Sequence, residues 1–249
     1  PFRLGVLCMN HEGYHSLSVL LTKAFLTNND AARGLVDPKW FDDGGSEGLI
    51  ALSGAAQGEL GSLLLGKKWA LAHEAAERFK AQFPGRFYVE LQRAGRPTDE
   101  LATARLANFA VEEKLPVVAT HPSQFLKPED FEAHEVRCSI AEGYTLQDPR
   151  RVKRYTPEQY LKSEAEMCEL FADIPAAIEN TVEIAKRCNL DGVLSKPQLP
   201  LFPTPDGMSL DDYIDQLSKE GLQKRLEFLY PDPKVLEERR PPYDKRLEY

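Results

Sequence analysis

Leu115-Pro-Val-Val-Ala-Thr-His-Pro-Ser-Gln-Phe125 decides the architecture. Pro116 to Ala119 run apolar or small into Thr120 and His121, the pattern of a strand buried on both faces whose carboxyl end opens into polar chemistry. In a parallel α/β architecture that end is the functional face. Three comparable runs precede it. Phe2 to Met9 reads as a strand through Leu4, Val6 and Leu7. It is followed by a turn at Asn10-His-Glu-Gly13 and a helix over Tyr14 to Phe25, with Leu17, Leu20, Leu21 and Ala24 at helical spacing. Gly48 to Gly54 predicts a second buried strand, and Phe87 to Leu91 a third after a Pro84-Gly85 turn. Between them the spacing predicts helices over Gln57–Leu65, Lys68–Phe83 (stripe Ala72, Ala75, Ala76, Phe79) and Thr98–Lys114 (Ala102, Leu106, Phe109, Ala110). Thr27 to Glu47, rich in Asn, Asp and Gly around Trp40 and Phe41, is expected to be a loop with one short helix.

Four strands alternating with helices indicate a parallel sheet or a (β/α) barrel. A closed barrel uses about seven or eight strands. The expectation is an open sheet or a barrel without its first strands. After Phe125 no strong strand run follows. Pro128 opens a helix to about Ala141. Thr156-Pro-Glu-Gln159 presents Thr at N-cap, Pro at N1 and Gln at N3, predicting a helix from there to about Phe171. Asp173 is placed as the cap of a helix through Cys188, with Ile178, Val182 and Ala185 on one face and Asn189 as its stop. Asp191 to Gly207, dense in Pro and Gly, reads as a linker and the best domain boundary. Ser209 caps a helix to about Tyr230, and a charged tail runs from Glu237 to Tyr249 without a clear end.

The chain of 249 residues is 42% hydrophobic and 28% charged, enough to bury one α/β domain or somewhat more. No run approaches the roughly 18 apolar residues of a membrane span. The start, Pro-Phe-Arg-Leu, has no initiator Met or signal pattern and suggests a piece of something longer. Cys8, Cys138, Cys168 and Cys188 lack metal spacing and sit in apolar periodic contexts, so reduced core thiols and a cytoplasmic setting are expected. A net charge of −8 argues against a surface that is as a whole a nucleic-acid footprint.

The strand ends carry Asn10 and His11, Ser53 and Ala55, Glu90, Gln92 and Arg93, and Thr120, His121, Ser123 and Gln124. A metal hydrolase needs several His, Asp, Glu or Cys converging there. Glu90 is the only carboxylate on a strand end, His121 the only imidazole at the end of the opening stretch, and no Cys is available. His134, in Phe131-Glu-Ala-His-Glu135, lacks a His-Glu-x-x-His partner and reads as a helix histidine held by a backbone or carboxylate group. His11 and His15 lie at a capped turn, and His73 on a helix surface. Arg150, Arg151, Lys153 and Arg154 form the one dense basic run, open to phosphate or simply solvated. No phosphate loop follows Gly54, Gly58 or Gly61, and neither a Gly-x-Ser-x-Gly elbow nor an Asp-x-Asp pair on a strand is present.

Several segments together resemble the alpha subunits of bacterial DNA polymerase III, the replicative polymerase. They are Asn10-His-Glu-Gly-Tyr14, Glu47-Gly-Leu-Ile-Ala-Leu-Ser-Gly54, Glu90-Leu-Gln-Arg-Ala-Gly-Arg-Pro97, Leu115-Pro-Val-Val-Ala-Thr120 and Ala133-His-Glu135. Ser163-Glu-Ala-Glu-Met-Cys-Glu-Leu-Phe-Ala-Asp-Ile-Pro175 and Asn180-Thr-Val-Glu-Ile-Ala-Lys-Arg-Cys-Asn189 extend the likeness over essentially the whole chain. The resemblance implies that residues 1–190 are the later part of a polymerase-and-histidinol-phosphatase (PHP) domain, a distorted (β/α)7 barrel contributing about four parallel strands here. Residues 191–249 would be a linker and the start of the palm. It implies that His-x-His and Thr-Asp-His segments lie upstream of Pro1, and that the palm carboxylates holding two Mg ions lie beyond Tyr249.

Family members with a working PHP metal site place His, Cys, Asp and His where this chain has Arg3, Ala55, Pro122 and Gln124, none of which could replace them. His121 falls where the family usually has Asn. The resemblance therefore implies a fragment without a catalytic residue, metal or cofactor of its own. It would brace the palm and dock the proofreading exonuclease subunit, with DNA bound through the full-length subunit and no membrane involved. Arg93, Arg96, His121, Arg150 and Arg151 are the candidate phosphate- or DNA-facing groups. The alternative is a metal-dependent phosphoesterase of the PHP class built around His121.

Overall fold

The computed structural model describes residues 1–30, 33–42, 44–192 and 199–247. The chain divides into two compact units, Pro1–Val193 and Leu194–Tyr249. In the first, a strand β1 (Gly5–Cys8) leads into α1 (His11–Thr27), a two-residue ribbon β2 (Asn29–Asp30) and β3 (Arg33–Gly34), and a 3-10 turn at Pro38–Phe41. Then come β4 (Leu49–Leu52), α2 (Glu59–Leu65), α3 (Trp69–Gln82), β5 (Phe87–Gln92), α4 (Asp99–Glu112) and β6 (Val117–Thr120). Three helices close this unit: α5 (Phe131–Glu142), α6 (Glu164–Leu170) and α7 (Pro175–Arg187).

The four long strands lie in the order β1-β4-β5-β6. The buried runs form strands where their continuous hydrophobicity predicts them, and β4, β5 and β6 are mutually parallel. The sheet differs from the expected set of parallel strands in β1, which runs antiparallel to β4, pairing Cys8 with Leu49 and Gly5 with Leu52. The cause lies in the connection. A single helix would return the chain to the start of β1, but after α1 the described residues 28–30, 33–42 and 44–48 run back again. They deliver Gly48 beside Met9, whose N–H donates to the Gly48 carbonyl at 2.8 Å. Asn10 completes the corner by accepting from the Gly13 N–H at 2.9 Å.

The side-chain alternation of the strands separates two cores. Leu49, Ala51, Phe87, Val89, Leu91 and Ala119 face a cluster that includes Leu60 and Leu64 of α2, the Ala72, Ala75, Ala76 and Phe79 stripe of α3, and Leu106, Phe109 and Ala110 of α4. Ile50, Leu52, Tyr88 and Val118 face the other way with Ile184 of α7. Asn180 of α7 donates from Nδ2 to the Val117 carbonyl at 2.8 Å, tying this helix to β6.

Three local readings are corrected. No helix starts at Thr156: Thr156–Gln159 closes a single turn, the Gln159 N–H donating to the Thr156 carbonyl at 3.2 Å, and α6 begins only at a Ser163–Glu166 capping box. Asp173 does not cap α7, whose N-cap is Ile174 without a side-chain bond. The cysteines are free, and core placement holds only in part: Cys8 and Cys188 are half-buried against the two cores, whereas Cys138 is half-buried elsewhere and Cys168 is exposed on α6.

In the second unit Ser209 caps α8 (Leu210–Leu229), and the charged tail forms α9 (Pro233–Arg239) and α10 (Pro241–Leu247). Leu226 is buried, the Tyr230 and Tyr243 hydroxyls meet at 3.1 Å, and Arg240 donates to Gln223 Oε1 at 2.6 Å. Of the linker Asp191–Gly207, residues 193–198 lie outside those described.

The β1–α1–β4 corner has no room for a methyl group, because a Cβ on Gly13 would fall on the Gly48 carbonyl while Gly48 itself holds φ +65°. Gly13→Ala is expected to cost about 3 kcal/mol by overpacking, read as a lower midpoint in urea unfolding with an unchanged slope.

Candidate functional site

The second sheet face turns polar at the carboxyl ends of the strands. Going up each strand on that face, Tyr88 is followed by Glu90 and Gln92, Val118 by Thr120, and Leu52 by Gly54. Glu90 is 8% exposed. Its Oε2 accepts from the Gly54 N–H at 3.0 Å, and its Oε1 from Gln92 Nε2 at 2.9 Å and from the Thr120 hydroxyl. Gln92 Nε2 also reaches Thr120 Oγ1 at 3.0 Å, and the Glu90 N–H donates to Ser53 Oγ at 2.9 Å. The one strand-end carboxylate thus ties β4, β5 and β6 together. After β4 the backbone turns left-handed at Gly54 (φ +80°) and again at Ala55 (φ +47°). For alanine this costs roughly 1 kcal/mol or more. Ala55 is buried. Arg3 lies against this turn, its N–H donating to the Gln57 carbonyl at 3.1 Å.

Residues 121–125, which include Pro122 and Gln124, are covered by the segment 155–162, which makes one turn over Thr156–Gln159. Gln159 is fully buried. Its Nε2 donates to the Pro122 carbonyl at 3.0 Å, its Oε1 accepts from the Thr156 N–H at 3.1 Å, and its carbonyl accepts from the Gln124 N–H at 2.7 Å. Phe125 and Tyr160 form a parallel bridge, and the Thr156 hydroxyl donates to the Ala94 carbonyl. This is why Thr156 and Gln159 do not begin a helix: their polar groups are engaged across the sheet end.

His121 donates from Nε2 to the Glu158 carbonyl at 2.9 Å, leaving Nδ1 buried without a partner. Burial pushes its pKa below the usual imidazole value, against the raising effect of the Glu158 carbonyl. His134 is not held by a carboxylate or backbone group as expected. Its Nε2 lies 3.4 Å from Cys138 Sγ, and its ring meets Phe125 and, edge-on, Tyr155.

These donors do not fit a divalent metal. Among the described residues no three His, Cys, Asp or Glu converge, and the Glu90 oxygens already serve three donors of the protein. Arg3 and Ala55 are brought to one turn and Pro122 and Gln124 to another, each through backbone groups.

The candidate phosphate-facing residues divide. Arg93, 13% exposed, grips Asp173 with Nη1 at 2.6 Å and Nη2 at 2.8 Å, donates to the Leu170 carbonyl at 2.6 Å, and lies over the Phe171 ring. The Arg93 guanidinium holds the Asp173 carboxyl below the usual carboxylate range. Arg151, 4% exposed, pairs with Glu135 at 2.5 Å. Arg151 is engaged inside the fold, and Arg93 is committed to Asp173, whose carboxylate is 58% exposed, rather than presented to a phosphate. Arg96 is half-buried, with its N–H bonded to Asp99. Arg150 remains open to solvent, paired with Asp148 at 2.7 Å and close to the Tyr144 ring. These contacts of Gln159, Asp173 and Glu135 had no signal in the sequence pattern, since each partner lies 16 to 80 residues away.

The PHP domain family matches residues 1–94. DNA polymerase III subunit alpha of Vibrio cholerae is 47% identical over 246 residues, 99% of this chain and 21% of that protein. The same subunit of Escherichia coli K12 is 47% identical over 98% of this chain and 21% of its own length. That of Neisseria meningitidis serogroup B is 47% identical over 100% and 22%. The chain is therefore similar along its whole length to one segment of DNA polymerase III subunit alpha, and it spans about a fifth of the length of the curated relatives it matches.

Two outcomes test this geometry. Glu90→Ala leaves the Gly54 N–H, the Gln92 amide and the Thr120 hydroxyl without their shared acceptor, and is expected to cost about 3 kcal/mol in urea unfolding. Glu166 is held at about 2 by the Ser163 hydroxyl, the Tyr160 hydroxyl and the Ser163 N–H. A depressed carboxylate stabilises the fold above its unfolded pKa and ceases to do so as pH falls through its folded one. Protection of the 160–166 amides is expected to fall from about pH 4.5 towards pH 2, and Glu166→Gln should remove that step.

Proposed function

We propose that the chain is a non-catalytic segment of a bacterial replicative DNA polymerase alpha subunit, serving as a structural brace. On this reading residues 1–190 are the later part of a PHP domain, and 191–249 a linker and the beginning of the palm. The whole subunit carries out DNA-templated synthesis with Mg at palm carboxylates outside this segment, in the cytoplasm, and this segment helps to dock the proofreading exonuclease subunit. The similarity over the full chain to polymerase III alpha subunits supports the family assignment. The observation that carries the brace reading is the Glu90 carboxylate: in the position where a metal hydrolase would display a free ligand, it is used up in joining three strands.

The decisive measurement uses the full-length subunit that contains this segment. It is expected to hold no zinc or manganese by elemental analysis after dialysis, and to release no phosphate from phosphate esters. Primer extension with Mg should stay within about twofold of wild type in His121→Gln, compared per folded molecule. Stoichiometric metal together with a phosphatase activity that His121→Gln removes would replace this reading by a metal-dependent phosphoesterase.

A further inference from the structure

We propose that Arg93 is the positioning residue of this brace. With Asp173 it fastens the α6–α7 turn to the carboxyl end of the sheet, and so fixes where the chain leaves the first unit. The inference rests on the brace reading and deepens it by naming the fastener.

Four residues converge on one guanidinium. Nη1 and Nη2 take the two Asp173 oxygens at 2.6 and 2.8 Å, and Nη1 also reaches the Leu170 carbonyl at 2.6 Å. The plane lies 5.1 Å from the centroid of Phe171, which is fully buried in the main core. Glu100 of α4 approaches Nε at 3.3 Å. The residue therefore joins the end of β5, the helix after it, the last turn of α6 and the entry to α7. A lysine could not reproduce this, because it has neither the planar fork nor the stacking face.

A second observation comes from what Asp173 gives up. Asp173 carries a capping type of side chain one residue ahead of Ile174, the N-cap of α7, and α7 begins without any side-chain cap. Thr156 and Gln159 close only one turn and go no further, the Thr156 hydroxyl donating to the Ala94 carbonyl and Gln159 Nε2 to the Pro122 carbonyl. Where a local preference is overridden, the overriding contact marks what the fold requires. Here the same layer, the loops after β5 and β6, overrides it twice. That layer is the attachment point for the helices that follow, and Arg93 is the member that reaches both α6 and the entry to α7.

The test uses the full-length subunit with Arg93→Ala, Arg93→Lys, and Arg78→Ala as a control that removes an ion pair to Glu59 elsewhere in the same unit. With Arg93→Ala, amide exchange at Phe171, Ile174 and Ala177 should accelerate about tenfold or more while the β4 and β5 amides hold. Arg93→Lys should resemble Arg93→Ala. The KM for primer–template should rise about threefold at constant kcat in both Arg93 variants, and not in the control. Unchanged exchange at those amides would overturn the fastening. Faster exchange with an unchanged KM would overturn the positioning role. If neither the Arg93 variants nor the destabilised Glu90→Ala protein alters polymerisation, the brace reading itself fails.

Discussion

A carboxylate taken out of water must have its oxygens satisfied, or the site costs several kcal/mol. Glu90 imposes that condition at the point where three strands end. The surroundings meet it with one donor from each strand or strand end: the Gly54 N–H after β4, the Gln92 amide on β5 and the Thr120 hydroxyl on β6. Much of the local geometry follows. The Gly54 N–H reaches Glu90 because the chain turns left-handed there, and that turn continues through Ala55 at positive φ. The same turn puts the Gln57 carbonyl in reach of the Arg3 N–H. A polar layer above the Ile50, Leu52, Tyr88 and Val118 core is therefore a set of cross-links, and it limits how far the three strand ends can separate.

How much of this could be read from the chain depends on the range of each interaction. The β4, β5 and β6 runs are continuous apolar stretches and became strands. The Ala72–Phe79 stripe and the Ala102–Ala110 spacing likewise set the faces of α3 and α4. The direction of β1 was not legible, because it depends on the described residues of 28–48 returning along α1, a property of the tertiary path and not of any local period. Thr156-Pro-Glu-Gln and Asp173 carry strong helix-start chemistry, and both were overridden by contacts 37 to 80 residues away. Ser163-Glu-Ala-Glu166 then supplied the capping box for α6. The pattern of residue types at the strand ends was legible, and so was its poverty in metal ligands. What those residues do to one another was not.

The placement of charge follows the same division. Lone surface cations contribute little to stability, whereas a guanidinium held by a carboxylate away from water is costly to break. Arg151 meets that condition with Glu135, while Arg93 pairs with Asp173, whose carboxylate is 58% exposed; sequence alone groups both with Arg96 and Arg150. Arg151 holds the loop after α5 against that helix, and Arg93 holds the turn between α6 and α7 against the sheet. Arg150, paired only with its near neighbour Asp148, stays in solvent. A run of four basic residues in one loop thus contains a structural member and solvated ones, and burial separates them.

The two arrangements at the sheet end belong together physically. A metal coordinated by several side chains holds strand ends at fixed separation through short, directional bonds. At this sheet end the same mechanical task falls to hydrogen bonds, centred on Glu90 among the strands and on Gln159 between residues 121–125 and the segment above them. Each bond contributes little, but the groups are buried and mutually satisfied, so opening the layer exposes several unpaired donors at once. Such a layer resists motion, which is the property the proposed brace needs.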